Sequence, residues 1–198
     1  MKRRQFLKST TALGMLPFLP PRGNCVVGVV QVKPGDILLT RNMGGDEANP
    51  SPGYYNHSAI ISNDNWVVEA QAEPNSVIAV PIWNFFDRYP EILILRCTKD
   101  DVATRTANMT FKYLGREYAP YMSGRPLYLW KHKDNCVSLI RRIYNSVTGM
   151  SYKWRIPDDF TQTEWLQKVA LKKDYDNYKP PTDRFAGMIK EWPQKPAS

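Results

Sequence analysis

The chain has 198 residues, enough for one ordinary domain with a core, and its 42% hydrophobic, 12% aromatic and 23% charged content is that of a globular protein. No stretch reaches the roughly 18 consecutive apolar residues of a membrane-spanning helix. The formal charge of +8 is no argument for nucleic acid: Lys2, Arg3, Arg4, Lys8 and Arg22 all precede the first strand-like run, and without those five charges the net is +3.

Residues 1–24 open with a basic stretch, continue through a short apolar run from Ala12 to Leu19 and end in prolines, the layout of an export leader. Arg3-Arg4-Gln5-Phe6-Leu7-Lys8 resembles the twin-arginine translocation motif, which implies a periplasmic or otherwise exported protein. No Ala-x-Ala cleavage site follows, and Arg22-Gly23-Asn24 is a poor lipoprotein box, so Cys25 reads as the leader's edge before it reads as a lipid site. The competing reading is a disordered basic amino terminus on a cytoplasmic protein.

The body, residues 25–177, is expected to be one domain, followed by a Pro/Lys-rich tail at 178–198. Its first half is rich in strand signals. A short apolar run covers Val26 to Val32, the turn Lys33-Pro34-Gly35-Asp36 leads into a strand at Ile37 to Thr40, and a Gly/Asn/Pro-rich surface loop spans Asn42 to Gly53. Strands are expected at Tyr55 to Ile61 and Trp66 to Ala70, with Ser62 to Asn65 as the hairpin turn between them. Val77 to Ile82 and Ile92 to Cys97 complete the set, with Trp83 to Tyr89 as an aromatic crossover.

The second half reads as helical. Apolar spacing predicts a helix from Val102 to Tyr118, and a second in which Cys136, Leu139, Ile140, Ile143 and Val147 share one face and Thr148-Gly149 ends the element. A third is predicted from Phe160 to Lys173 after Pro157-Asp158-Asp159. Strands followed by helices define an α+β domain.

Chemistry concentrates at three residues. Symmetric pairing of the hairpin about Asn63 sets His57 opposite Glu69 on one side of the sheet, where a carboxylate fixes the imidazole tautomer and leaves the other ring nitrogen to act as base. Cys136 falls at the start of a helix just after Asp134-Asn135, where free N–H groups and the positive end of the dipole favour a thiolate and offer an oxyanion hole. His132 is the reserve base, and Cys97 reads as core or a strand end. Three widely spaced cysteines imply neither a disulfide framework nor a CxxC zinc ribbon, and two histidines make no His-rich metal site. Each residue also has a plainer use: Cys136 as a small buried hydrophobe, His57 as a satisfied histidine, Glu69 as an ordinary strand charge.

The order of segments then matters. Pro34-Gly35-Asp36-Ile37-Leu38-Leu39, Asn56-His57-Ser58-Ala59-Ile60-Ile61, Val67-Val68-Glu69-Ala70 and Asn135-Cys136-Val137-Ser138-Leu139-Ile140 together resemble the permuted papain-like amidases of the YaeF/YiiX type, in the NlpC/P60 superfamily. Leu114-Gly115-Arg116-Glu117-Tyr118 resembles that family's Gly-x-x-Tyr segment. The chain departs from the pattern at Ala119, where an acidic residue often stands, and at Ser58, where a small apolar residue follows the histidine.

The resemblance implies a circularly permuted papain-like fold: a small antiparallel sheet or partial barrel packed on helices, with the cysteine helix after the histidine strand. It joins Cys136 as nucleophile to His57 as base and Glu69 as orienting carboxylate. The function it implies is thiol-dependent cleavage of an amide or peptide bond through a thioester, with cell-wall peptide as a natural substrate at the envelope and no cofactor. Alternatives are an acyl-ester or lipid hydrolase or acyltransferase using the same triad, with Trp83, Phe85, Phe86, Tyr89, Tyr121, Tyr128 and Trp130 as an apolar wall; an inactive binding module; and, remotely, a zinc site from Cys136, His57 and Glu69. A peptide-like or acyl substrate is expected as partner, and nucleic acid is not.

Overall fold

The computed structural model describes residues 26–27, 30–41, 53–63, 66–119 and 132–173. The leader, Cys25, residues 42–52 of the Gly/Asn/Pro-rich loop, the tail, and Tyr121, Tyr128 and Trp130 lie outside them. Two short strands, β1 (Val26–Val27) and β2 (Val30–Gln31), pair with each other. The main sheet contains β3 (Ile37–Arg41), β4 (His57–Ile61), β5 (Trp66–Gln71), β6 (Ser76–Pro81), β7 (Glu91–Cys97), β8 (Glu117–Tyr118), β9 (Lys133–Asp134) and β10 (Leu166–Lys173). Their order is β10-β7-β3-β4-β5-β6-β8-β9, antiparallel throughout except for the β8–β9 pair. Among the described residues three α-helices accompany the sheet: α1 (Ile82–Arg88), α2 (Asp100–Met109) and α3 (Cys136–Thr148).

The central strands read as nearly continuous apolar runs because both faces of the sheet are covered. Alternation sends Ile37, Leu39, Ile60, Val68, Val77, Leu93 and Leu95 to one face, against Leu139, Ile140, Ile143 and Val147 of α3. Leu38, Ala59, Ile61, Val67, Ile78, Ile92 and Ile94 go to the other, against Ile82, Phe85 and Phe86 of α1. The turn into β3 is closed by the Lys33 N–H, which donates to Asp36 Oδ2 at 2.8 Å, and by the Asp36 N–H, which donates to the Lys33 carbonyl at 3.0 Å. Gly35 has φ of 86°, and a Cβ there would come within 2.5 Å of the Ala103 carbonyl oxygen, so this turn requires glycine.

Three expectations from the sequence give way. The segment from Phe160 to Lys173 is not a helix: residues Pro157–Gln162 form a 3-10 turn, and β10 pairs antiparallel with β7. β7 is buried along most of its length, and a buried strand edge needs backbone partners. The helix expected from Val102 to Tyr118 stops at Met109 for the same kind of reason. After a 3-10 turn at Thr110–Tyr113, the backbone at Gly115, Arg116 and Tyr118 hydrogen-bonds with Val77 and Asn75 and covers the edge of β6. The aromatic crossover from Trp83 to Tyr89, in contrast, contains a true helix, α1.

The third correction bears on the site. The hairpin does not place His57 opposite Glu69, because its pairs are Ala59–Glu69, Ile60–Val68 and Ile61–Val67, centred one residue later than expected. The cause is Ser62, whose N–H and Oγ both donate to the Trp66 carbonyl, at 2.8 and 3.0 Å, and so fix the turn. Moving the centre by one residue shifts each partner by two. Each side chain therefore keeps its face, and His57 becomes the diagonal neighbour of Glu69.

Candidate active site

His57 is the first residue of β4, and the approach to it is pinned by the Asp158 carboxylate, which accepts the Tyr54 and Tyr55 N–H groups at 3.0 Å each. Its ring lies on the α1 face of the sheet, stacked on Tyr89 with centroids 5.7 Å apart and planes 23° from parallel. His57 Nε2 and Glu69 Oε2 are 2.9 Å apart. The diagonal register thus achieves the contact that direct pairing was expected to make, since two long side chains span the extra distance.

Glu69 is fully buried, and both of its oxygens are engaged. Oε2 accepts from His57 and also from Gln71 Nε2 at 2.7 Å, while Oε1 is ion-paired to Arg88 Nη2. Burial alone would raise this carboxyl; the Arg88 charge foremost, then His57, holds it down at about 2. It is therefore a carboxylate, which suits the orientation of an imidazole and the stabilisation of its charged form. Gln71 Nε2 lies 3.2 Å from the Tyr89 hydroxyl as well, linking the residue under the imidazole to the residue stacked on it.

Cys136 opens α3 with the cap that its neighbours predict. Asn135 Oδ1 accepts the Ser138 N–H at 2.7 Å and Ser138 Oγ accepts the Asn135 N–H at 2.9 Å, a reciprocal capping box. The cap takes the N–H of Ser138, and those of Cys136 and Val137 belong to the first turn, whose N–H groups have no acceptor within the helix. Beneath the helix start, buried Asp134 accepts from Ser138 Oγ at 3.1 Å and is bracketed by Arg116 and Arg142.

The β4–β5 ladder ends at the Ala59–Glu69 pair. Beyond that end the Cys136 thiol meets both His57, as a hydrogen-bond partner, and Ser58. With Nε2 given to Glu69, Nδ1 is the ring nitrogen left for the sulfur. Burial would raise the thiol, but the His57 hydrogen bond and charge, followed by Ser58, outweigh it and bring Cys136 below its ordinary value. Burial likewise opposes the charged imidazole, and Tyr89, Cys136 and Glu69 more than offset it, so His57 is raised well above its ordinary value. A lowered thiol beside a raised imidazole favours the thiolate–imidazolium pair, the reactive state of a cysteine nucleophile.

The structure thus brings together Cys136, His57 and Glu69 and leaves two other candidates apart. His132, the reserve base, is exposed in the turn before β9, and the nearby Asp134 carboxylate is held by Arg116, Arg142 and Ser138. Cys97 is buried at the end of β7, its thiol raised chiefly by that burial. Sequence reasoning missed Arg88 and Gln71 and named Tyr89 only as part of an apolar wall, not as the ring stacked on His57. Gln71 was recoverable from strand alternation two residues after Glu69, whereas Arg88 lies in the run read as an aromatic crossover, where nothing marks it as a partner of Glu69. The apolar wall is divided: Phe85, Phe86 and Tyr89 are core, while Trp83 is 59% exposed.

This geometry, a cysteine at a helix start facing a strand histidine backed by a carboxylate, on a curled mixed sheet, defines a papain-like thiol hydrolase fold with the cysteine helix placed after the histidine strand. Residues 31–170 match the permuted papain-like amidase enzyme family, YaeF/YiiX, C92, and the chain belongs to that family. The solved structure of the metalloprotein YiiX from Escherichia coli O157:H7 is similar in fold, with a TM-score of 0.57 and 15% identity over 71% of this chain and 98% of that one. No curated protein matches the chain. Metal binding is a property named for YiiX. In this chain no three His, Cys, Asp or Glu side chains among the described residues gather in a way that could hold a metal ion, and Glu69, already engaged by Arg88, Gln71 and His57, is poorly suited to the zinc alternative.

Proposed function

We propose that this papain-like hydrolase cleaves an amide bond in a peptide-like substrate through a thioester on Cys136. The observation that carries the reading is the chain of contacts from Arg88 through Glu69 and His57 to the Cys136 thiol. The Cys136 thiolate attacks the carbonyl carbon, and the developing oxyanion is met by N–H groups at the start of α3. His57, protonated in the resting pair, gives its proton to the leaving amine; it then takes one from the water that attacks the thioester, releasing the acid and restoring the thiolate. Glu69 stays ionised and holds the ring in place, as Arg88 ensures.

An exported location, supported by the leader at residues 1–24, makes cell-wall peptide a natural substrate class. A panel of peptide amides and acyl esters, with mass detection of acylated Cys136 after rapid quenching, tests the reading. Turnover of amides with a transient acyl adduct on Cys136 supports it. Turnover of esters alone would replace the amide by an acyl-ester substrate, and turnover that persists in Cys136→Ala would overturn the nucleophile.

A further inference from the structure

Ser58 stands beside His57 in β4, and its place in the fold suggests a use that the mechanism above leaves unassigned. It follows His57 in β4, so alternation turns its side chain away from α1 and toward α3. The residue is fully buried, and among the described residues its Oγ has no hydrogen-bond partner of ordinary geometry. A buried, unpartnered hydroxyl is destabilising unless something calls for it. What lies against it is the Cys136 sulfur, approached by both the side chain and the backbone of Ser58. The ladder that would otherwise engage this backbone ends one residue later, at Ala59.

We propose that the Ser58 hydroxyl is a second donor to the nucleophile, turning its proton to the Cys136 sulfur once the thiol has ionised and so sharing with His57 the task of holding the thiolate. The proposal rests on Cys136 being the nucleophile. A neutral thiol is a weak acceptor and leaves the hydroxyl nearly orphaned, whereas a thiolate is a strong one, so the bond forms in the charged state and favours it. Other charged groups around the sulfur are His57 of β4, with Glu69 of β5 and Arg88 of α1 behind it, and Asp134 of β9 with Arg116 and Arg142 at the foot of α3. Tyr89 stacks behind the imidazole. None of these is altered when Ser58 changes.

The test is the pH dependence of Cys136 alkylation by iodoacetamide, read by peptide mapping in the full-length protein, for the wild type, Ser58→Ala, Ser58→Thr and His57→Ala. Loss of a donor to a charged acceptor is expected to move the acid midpoint of Ser58→Ala upward by about one pH unit, a roughly tenfold slower reaction below the midpoint. Ser58→Thr, which keeps a hydroxyl, should return most of that shift. Filling in an idle hydroxyl with alanine would leave the profile where it was, so coincident wild-type and Ser58→Ala profiles overturn the proposal. If His57→Ala also left the profile unchanged, the nucleophile reading beneath it would fall as well, which separates the two failures.

Discussion

Cys97, at the end of β7, and Cys136, at the start of α3, are 2% and 5% exposed and belong to the same apolar cluster, yet their thiols are driven in opposite directions. Around Cys97 the polar partner is the backbone of Lys99: the thiol donates to its carbonyl at 3.3 Å and its N–H reaches the sulfur at 3.4 Å. Burial dominates there and the thiol is held in its neutral form. Cys136 suffers the same burial but faces an imidazole backed by a carboxylate and an arginine. Enclosure makes both cysteines look like core; the charges within reach of the sulfur decide which thiol is pushed up and which is brought down.

The sharpest way to break this comparison is to delete each thiol. Cys136→Ala is expected to lower hydrolysis by about a thousandfold or more, the scale of removing a nucleophile from a triad, as measured by steady-state turnover of the best substrate in the panel. A smaller effect is expected from acid. Glu69 is depressed from 4.5 to about 2, so its contribution to stability is complete above pH 4.5 and is lost as pH falls through the folded value near 2. That contribution is about 3 kcal/mol. Denaturant unfolding at pH 5 and pH 2.5 should show the loss in the wild type and a reduced one in Glu69→Gln.

Arg88→Gln is expected to weaken the hold on the imidazolium and slow Cys136 alkylation at pH 6.5 by about tenfold, with no change at Cys97. The smallest effect belongs to Cys97→Ala. Turnover should stay within about a factor of two, while stability drops by about 1 kcal/mol, the mean for a point substitution.

Strands β3 to β7 and helix α3 were legible in the sequence because strong apolar runs and a clean helical face encode them locally. The segments misread, 110–118 and 160–173, serve distant strands: one covers the edge of β6 and the other the edge of β7. Local periodicity cannot report such a demand. The His57–Glu69 contact was readable because the two residues lie on one hairpin, and the register error did no harm because it preserved the face. Arg88 was not readable as a partner of Glu69. It reaches the carboxylate from α1, a helix hidden in an aromatic run, and Ser58 acquires its meaning only when α3 is laid on β4.

The most direct test of the central claim, that Cys136 is a thiolate held by His57, is site-resolved iodoacetamide labelling of the wild type and His57→Ala at pH 6.5. Cys136 should be modified at least about tenfold faster than both Cys97 and a free thiol, and should fall to the free-thiol rate in His57→Ala. Labelling of Cys136 no faster than a free thiol, or unchanged by the loss of His57, would contradict it.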